Sequence, residues 1–276
     1  MKLNFVKVNP VENMTVFILN EVDRKKHIEI SKKLMDYSNI YAEQVGFIEK
    51  PTYTYDDSCK VRLQMMGGEF CGNATRSLGA YLVHNNHESV KKADDKYYVN
   101  IETSGLNKVL TCEVEKVNDN TYMSKVEMPL IIKKPKEIIL KDKYKLVRTD
   151  FSGITHFIVN SSDVEDRNLF FDIVKSYIEN EEYEAFGIMF YDFKKEYLEP
   201  LVYVKATDSL FWERSCASGT SALGAALTYA KQENLITNVK QPGGILKIET
   251  FFSEGDLKKI VLNGEVEIVA QGTVYV

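Results

Sequence analysis

Apolar and polar positions along the chain make the same passage twice. In the first, the β-branched and aromatic runs of LNFVKVNPVENMTVFIL are split by Asn9, Pro10 and Asn13, which predicts strand, loop, strand. HIEISKKLMDYSN follows with apolar residues at Ile28, Ile30, Leu34 and Met35, the spacing of a helix. EQVGFIE and KVRLQMM return to strand patterning, a Gly-Gly-Glu bend leads into a small-residue helix, and YYVNIET, VLTCEVEKV and TYMSKVEMP alternate as further strands. In the second passage HFIVN reads as a strand, NLFFDIVKSYIENEE as a helix, and AFGIMFYDF and LEPLVYVKA as strands. Another small-residue helix follows, with GGILKIETFF and KIVLNGEVEIVAQGTVYV as closing strands. Duplication of one strand-rich unit is the economical reading. No Pro/Ser/Gly-rich linker divides the halves, so the boundary falls near residues 129–135: a first lobe over 1–130, a second over 131–264, and a last strand, 265–276, able to return to the first.

The two small-residue helices are where chemistry concentrates. CGNATRSLGAYL (71–82) and CASGTSALGAAL (216–227) share Cys at the first position, Thr four later, Leu-Gly-Ala seven to nine later and Leu eleven later. Helices this small and apolar on most faces suit the centre of a wrapped sheet. Their N-termini are then buried, with unpartnered backbone N–H groups and the positive end of the helix dipole, a setting that binds carboxylates. Gly72 and Asn73 after the first cysteine, and Ala217, Ser218 and Gly219 after the second, let a ligand approach that backbone. The same field is expected to lower a thiol pKa from about 8.5 toward neutrality.

Composition narrows the partners. With 44% apolar and 27% charged residues a well-packed core is expected, and a net charge of −5 without a basic stripe argues against nucleic acid. The opening MKLNFVKVNP has no apolar core of signal-peptide length, and no run reaches bilayer-spanning length, so no membrane partner and a cytoplasmic location are expected. Cys59, Cys71, Cys112 and Cys216 form no Cys-x-x-Cys pair, and His27, His84, His87 and His156 make no zinc spacing with them. His84 and His87, three apart, read as a solvated helix end. No metal is expected. Cys59 and Cys112 lie in strand-like runs and read as packing residues.

Two such helix starts offer amides to one carboxylate and a sulfur on each side of the carbon beside it. A thiolate can then take the Cα proton from one face while a thiol returns one to the other, with the amides stabilising the enediolate charge. Cys71 and Cys216 are therefore the candidate catalytic pair. No Gly-rich dinucleotide loop or phosphate-binding lysine motif points to a cofactor, and none is expected.

The same residues resemble the cofactor-independent, two-cysteine racemases and epimerases related to diaminopimelate epimerase. FCGNATRS resembles that family's Cys-Gly-Asn-Gly-Ala-Arg turn, RSCASGTSA is closer to the Arg-Ser-Pro-Cys-Gly-Thr-Gly-Thr-Ser-Ala of proline racemases, and VNPVENMTVF puts Asn13 where the family has a substrate-contacting Asn. The resemblance covers nearly the whole chain. It implies a mixed α/β (α+β), diaminopimelate epimerase-like fold of two pseudo-symmetric lobes, each a β-sheet wrapped around a central helix, with the site between them. Three segments with which diaminopimelate epimerases hold the distal end of their substrate are altered here: GITHF keeps only His156, FGIMF lacks the Asn, and WERSCA is contracted, so that Glu213 and Arg214 cannot be equated with the family's Glu-Arg pair. A site without those polar partners binds a second zwitterion poorly.

EQVGFIE, GGEFCGNAT, WERSCASGT and QPGG together most resemble the histidine racemases that supply D-histidine to opine-type metallophores. That resemblance implies an amino-acid substrate; Glu43, a carboxylate able to accept an imidazole N–H, is the candidate for reading its side chain, and Gln44 matches a polar substrate contact of the wider family. QPGG at 241–244 reads as a turn before a strand, and the roles of His156, Glu213 and Arg214 stay open, as does a homodimer. Racemisation or epimerisation of another amino acid, diaminopimelate included, a non-catalytic amino-acid binder and a dithiol redox protein are the competing readings.

Overall fold

The computed structural model describes residues 1–52 and 58–276 of the chain, and it divides into two compact units: 1–127 with 263–276, and 128–262. The first holds strands β1 (Lys2–Asn9), β2 (Thr15–Ile18), β3 (Gln44–Glu49), β4 (Val61–Met65), β5 (Lys91–Ala93), β6 (Lys96–Thr103), β7 (Val109–Lys116) and β8 (Thr121–Met128), with helices α1 (His27–Met35) and α2 (Gly72–His84). The second holds β9 (Lys136–Leu140), β10 (Tyr144–Asp150), β11 (Ile154–Asn160), β12 (Ala185–Asp192), β13 (Tyr197–Val204), β14 (Ser209–Trp212), β15 (Leu235–Gln241) and β16 (Gly244–Ser253), with helices α3 (Arg167–Ile178) and α4 (Ala217–Lys231). The long last strand, β17 (Asp256–Tyr275), starts in the second unit and ends in the first.

Pairing makes the duplication explicit. In the first unit β1–β2 is antiparallel, β2–β3 parallel across α1, β3–β4 antiparallel, β4–β6 parallel across α2, and β6–β7 antiparallel. In the second, β10–β11, β11–β12, β12–β13, β13–β15 and β15–β16 run through the same series, with α3 and α4 at the two crossovers. The first unit closes on itself, because β8 pairs with β7 and with β17, and β17 pairs antiparallel with β1. The chain thus has a mixed α/β fold of two pseudo-symmetric lobes, dominated by strands.

Two kinds of helix follow from two kinds of pattern. On α3 the buried residues Phe170, Val174 and Ile178 recur every four positions, so one stripe meets the sheet and the opposite face meets water. On α1 the buried residues are His27, Ile30, Ser31 and Leu34, whereas Ile28 is 58% exposed. Ile28 therefore lies outside the buried stripe expected to contain it: His27 takes its place, its ring stacked on Phe47 at 3.6 Å and its Nε2 3.1 Å from the Val22 carbonyl. In contrast α2 is buried from Gly72 to Val83, and α4 is buried over most of its length.

A helix buried all round must come very close to its sheet, which explains the repeated Leu-Gly-Ala. A Cβ on Gly79 of α2 would lie 2.6 Å from the Cβ of Cys112 on β7, and one on Gly224 of α4 would lie 2.8 Å from Ile248 Cγ1 on β16. Cys112 is thus a packing residue, fully buried. Gly79→Ala is expected to lower the melting temperature, because overpacking costs about 1–3 kcal/mol against about 1 kcal/mol of gained helix propensity. A thermal scan showing equal or higher stability would remove this account of the glycine.

Candidate functional site

Both candidate cysteines are the N-cap residues of their helices, in nearly identical backbone conformations: φ −128°, ψ 113° for Cys71 and φ −121°, ψ 112° for Cys216. Each sulfur accepts from the N–H three residues on, Ala74 at 3.3 Å and Gly219 at 3.2 Å, as a Ser or Asp cap would. Each turn is closed again by a threonine, whose N–H and hydroxyl both donate to the cysteine carbonyl: Thr75 Oγ1 at 2.7 Å and Thr220 Oγ1 at 2.6 Å. The Thr shared by the two sequences is the second half of the cap. The helix-start amides of Gly72 and Asn73, and of Ala217 and Ser218, are by geometry outside the intrahelical ladder.

In the first unit a chain of side chains converges on Cys71. Its thiol donates to Gln44 Oε1 at 3.1 Å, and Gln44 Nε2 donates to Asn13 Oδ1. Asn73 Nδ2 donates to the same Asn13 oxygen at 3.0 Å, and Asn13 Nδ2 donates to Glu43 Oε2 at 2.8 Å. Asn13, Glu43, Gln44, Cys71, Gly72 and Asn73 are therefore one cluster, although they come from the β1–β2 loop, the start of β3 and the start of α2. Asn13 and Asn73 are buried, Cys71 is half-buried, and the Glu43 side chain reaches solvent. Arg76 aligns with the arginine that ends the family's cysteine turn, but it was not among the candidate site residues. It is fully buried behind this cluster, its Nε donating to Asn73 Oδ1 at 3.2 Å and its Nη1 to the Gly264 and Glu265 carbonyls at 2.9 and 2.8 Å.

In the second unit Ala217, Ser218 and Gly219 form the turn after Cys216, which is 4% exposed. The Ser218 hydroxyl lies 3.5 Å from the sulfur. Gly219 is required by close approach, since a Cβ there would run into the thioether of Met189 and lie 3.1 Å from the Cys216 sulfur. Gln241 of the QPGG segment caps the turn from outside: its Oε1 accepts the Cys216 N–H at 2.8 Å and its Nε2 donates to Thr220 Oγ1 at 2.9 Å. Residues 241–244 do form a turn, with Gln241 paired to Gly244 between β15 and β16, and its Gly243 N–H donates to the Arg214 carbonyl at 2.7 Å. Arg214 Nη2 donates back to the Pro242 carbonyl at 3.1 Å, so one role of Arg214 is to clip the cysteine segment to this turn. A buried glutamine beside a Pro-Gly-Gly turn carried no signal distinguishing it from ordinary turn flanking. His156 is fully buried, both its ring nitrogens lack a hydrogen-bond partner among the described residues, and burial pushes its pKa down to about 3, so the ring is neutral.

The helix field was to make the thiols acidic, but the Cys216 pKa is raised well above the ordinary thiol value. Burial is the largest cause, followed by the charge of Glu213 and its hydrogen bond with the thiol; the opposing Ser218 hydroxyl and Gly219 N–H contribute less. The histidines at helical spacing are engaged separately, His84 with the Tyr122 hydroxyl at 3.0 Å and His87 with the Ser89 hydroxyl at 2.8 Å. Among the described residues no group of three or more His, Cys, Asp and Glu is placed to hold a metal ion, and no helix is long and apolar enough to cross a membrane.

A domain family described as Histidine racemase CntK N-terminal domain matches residues 2–275. A histidine racemase of Fusobacterium nucleatum subsp. nucleatum is 41% identical over 280 residues, covering 99% of this chain and 97% of that protein. A histidine racemase of Staphylococcus aureus strain Mu50 is 29% identical over 279 residues, covering 99% and 98%. Among solved structures, a hydroxyproline epimerase from Agrobacterium vitis with bound trans-4-hydroxy-L-proline aligns at a TM-score of 0.70 over 99% of this chain and 92% of that one. At 10% identity that likeness is one of fold.

Proposed function

This chain belongs to the histidine racemase family and is an amino-acid racemase, and from that premise we propose that it interconverts L- and D-histidine with Cys71 and Cys216 as the two acid–base groups at Cα. The observation that carries the reading is the matched pair of N-cap cysteines, held in equivalent turns of two units that otherwise share little sequence. Packing alone needs no sulfur at either place, since a Ser would cap the helix as well.

The reaction moves one proton in and one out. A thiolate at one cysteine takes the Cα proton, leaving the electron pair delocalised into the substrate carboxylate, and the thiol of the other cysteine delivers its proton to the opposite face. The thiol and thiolate have then exchanged places, and configuration at Cα is inverted. Carboxylate charge grows in the transition state, where the amides of Gly72, Asn73, Ala217 and Ser218 act as fixed donors that need no reorganisation. Glu43 supports the choice of histidine: a solvent-reaching carboxylate, anchored by Asn13 within the Cys71 cluster, can accept an imidazole N–H.

The test is proton NMR of the reduced protein in D2O with L-histidine, LL-diaminopimelate and a panel of common amino acids. Loss of the Cα–H signal from histidine is the expected result. Washout from another amino acid instead would keep the acid–base chemistry and discard histidine, and washout from none of them would remove the reading.

A further inference from the structure

The two cysteine turns are alike in backbone and caps, yet a guanidinium, Arg76, is buried behind the first, whereas the Glu213 carboxylate bonds the thiol of the second. At the sixth position of the shared pattern α2 carries Arg76 where α4 carries Ser221. Ser221 is buried and satisfied by its own helix, its hydroxyl donating to the Ala217 carbonyl at 2.9 Å. The scaffold therefore does not need an arginine there. Arg76 is 0% exposed, and among the described residues its Nη2 has no hydrogen-bond partner and it makes no ion pair with a carboxylate. A buried cation without a counter-ion is expensive. Burial pulls its pKa down from 12.5 to about 9, which still leaves it charged at neutral pH.

The titratable groups that face this guanidinium are few. Cys71 lies on its own helix and Cys112 on β7, and both act on it electrostatically. Burial pushes Cys112 up to about 12, so it stays a neutral thiol. From β17, Gly264 and Glu265 offer only main-chain carbonyls, and from β8 Ser124 donates to the Arg76 carbonyl at 2.6 Å. Toward Cys71 from β3 come the neutral Gln44 and, through Asn13, the carboxylate of Glu43. Among the described residues, the one group near Arg76 that can become its counter-ion is Cys71. Cys216 has the reverse neighbour, the Glu213 carboxylate, which favours the thiol.

Arg76 also fixes the sense of the hydrogen-bond chain. A guanidinium only donates, so Asn73 must turn Oδ1 toward it and Nδ2 toward Asn13. Asn13 then has its Nδ2 left for Glu43, which as a carboxylate only accepts. The amide orientations are thus set by their two charged ends. The Gln44 carbonyl at the end of the branch favours the Cys71 thiol, but one dipole is weaker than a unit charge held in a buried, poorly screened place.

We propose that Arg76 is a positioning residue that makes Cys71, rather than Cys216, the thiolate of the resting enzyme, with the guanidinium as its counter-ion. This rests on the two-cysteine reading above and assigns the starting roles within it: Cys71 begins as base and Cys216 as acid, so the enantiomer presenting its Cα–H to Cys71 is turned over by the resting form without prior proton exchange.

The test reads the thiols directly and needs no substrate. Reduced protein is alkylated with iodoacetamide across a pH series, the thiolate displacing iodide to form a thioether, and modification of the Cys71 and Cys216 peptides is followed separately by mass spectrometry. In the unaltered protein the Cys71 midpoint is expected below that of Cys216; the reverse order overturns the proposal. Arg76→Gln is expected to raise the Cys71 midpoint by about one pH unit, with the Cys216 midpoint unmoved. Arg76→Lys, which keeps the charge but not the fork, is expected to stay near the original Cys71 midpoint whatever it does to melting temperature. Equal shifts in Gln and Lys variants would mean that Arg76 only staples α2 to β17, and would overturn the proposal. Because alkylation is independent of turnover, failure to racemise histidine would not be confused with failure of this assignment.

Discussion

Cys71→Ser and Cys216→Ser are each expected to reduce histidine racemisation by about 10³-fold or more, at the upper part of the range for loss of a positioned acid–base group. That corresponds to about 4 kcal/mol of transition-state stabilisation. The helix caps should survive, because a serine oxygen can accept the same N–H from Ala74 or Gly219 that the sulfur accepts now. A normal circular dichroism spectrum and a melting temperature within a few degrees of the original would separate chemistry from folding. The sharper readout is solvent exchange. With two bases on opposite faces, each single variant retains the base for only one enantiomer, so Cys71→Ser should lose deuterium washout from one enantiomer and Cys216→Ser from the other. A single-base mechanism would give loss of both from one variant and of neither from the other. Full racemisation by either variant would end the two-cysteine reading outright.

How far the site could be read from sequence depended on whether the residues were close along the chain. The caps were legible because Cys, Thr and the small residues around them are local, and local geometry repeats in both helices. Asn13, Glu43 and Gln44 came from family resemblance, and their convergence on Cys71 through four hydrogen bonds is a tertiary fact with no local signature. Gln241 and Arg76 were missed for the same reason. One reaches its cap from 25 residues away, and the other, though it aligns with the arginine of the family's cysteine turn, shows its role only once the return of β17 buries it. The pKa expectation at Cys216 failed because a helix dipole is a modest, short-range influence, whereas full burial and an adjacent carboxylate act directly on the thiolate.

Fold-level legibility had a similar limit. The central strands were found because apolar runs such as AFGIMFYD are buried along most of their length, as in β12. Strands β5, β9 and β10 went unread: KKA is exposed throughout, KEIIL has one buried residue, and YKLVRTD mixes lysine and arginine into its alternation. Strand β14 is the same case reversed, apolar in sequence but exposed at Leu210, Phe211 and Trp212. Such strands are specified by their partners' hydrogen bonds more than by their own pattern.

Glu43→Gln is expected to lower kcat/KM for histidine by about 10²-fold, mostly through KM. A hydrogen bond to a charged group contributes about 1.5–3 kcal/mol, and the upper part of that range corresponds to this factor. The substitution is chosen so that the rest of the cluster need not change. A glutamine at 43 can still offer an oxygen to Asn13 Nδ2, so Asn13, Gln44, Asn73 and the Cys71 turn keep the contacts they make now. What it loses is the charge, and with it the ability to hold a histidine ring most strongly when an N–H points at it. Deuterium washout from small amino acids that cannot reach residue 43 should then be affected far less than washout from histidine. If kcat/KM for histidine is unchanged in this variant, Glu43 does not read the side chain, and selectivity for histidine must be sought elsewhere in the protein. If histidine and small amino acids decline together, the carboxylate acts on Cys71 through Asn13 and Gln44, and its role is to orient the chemistry.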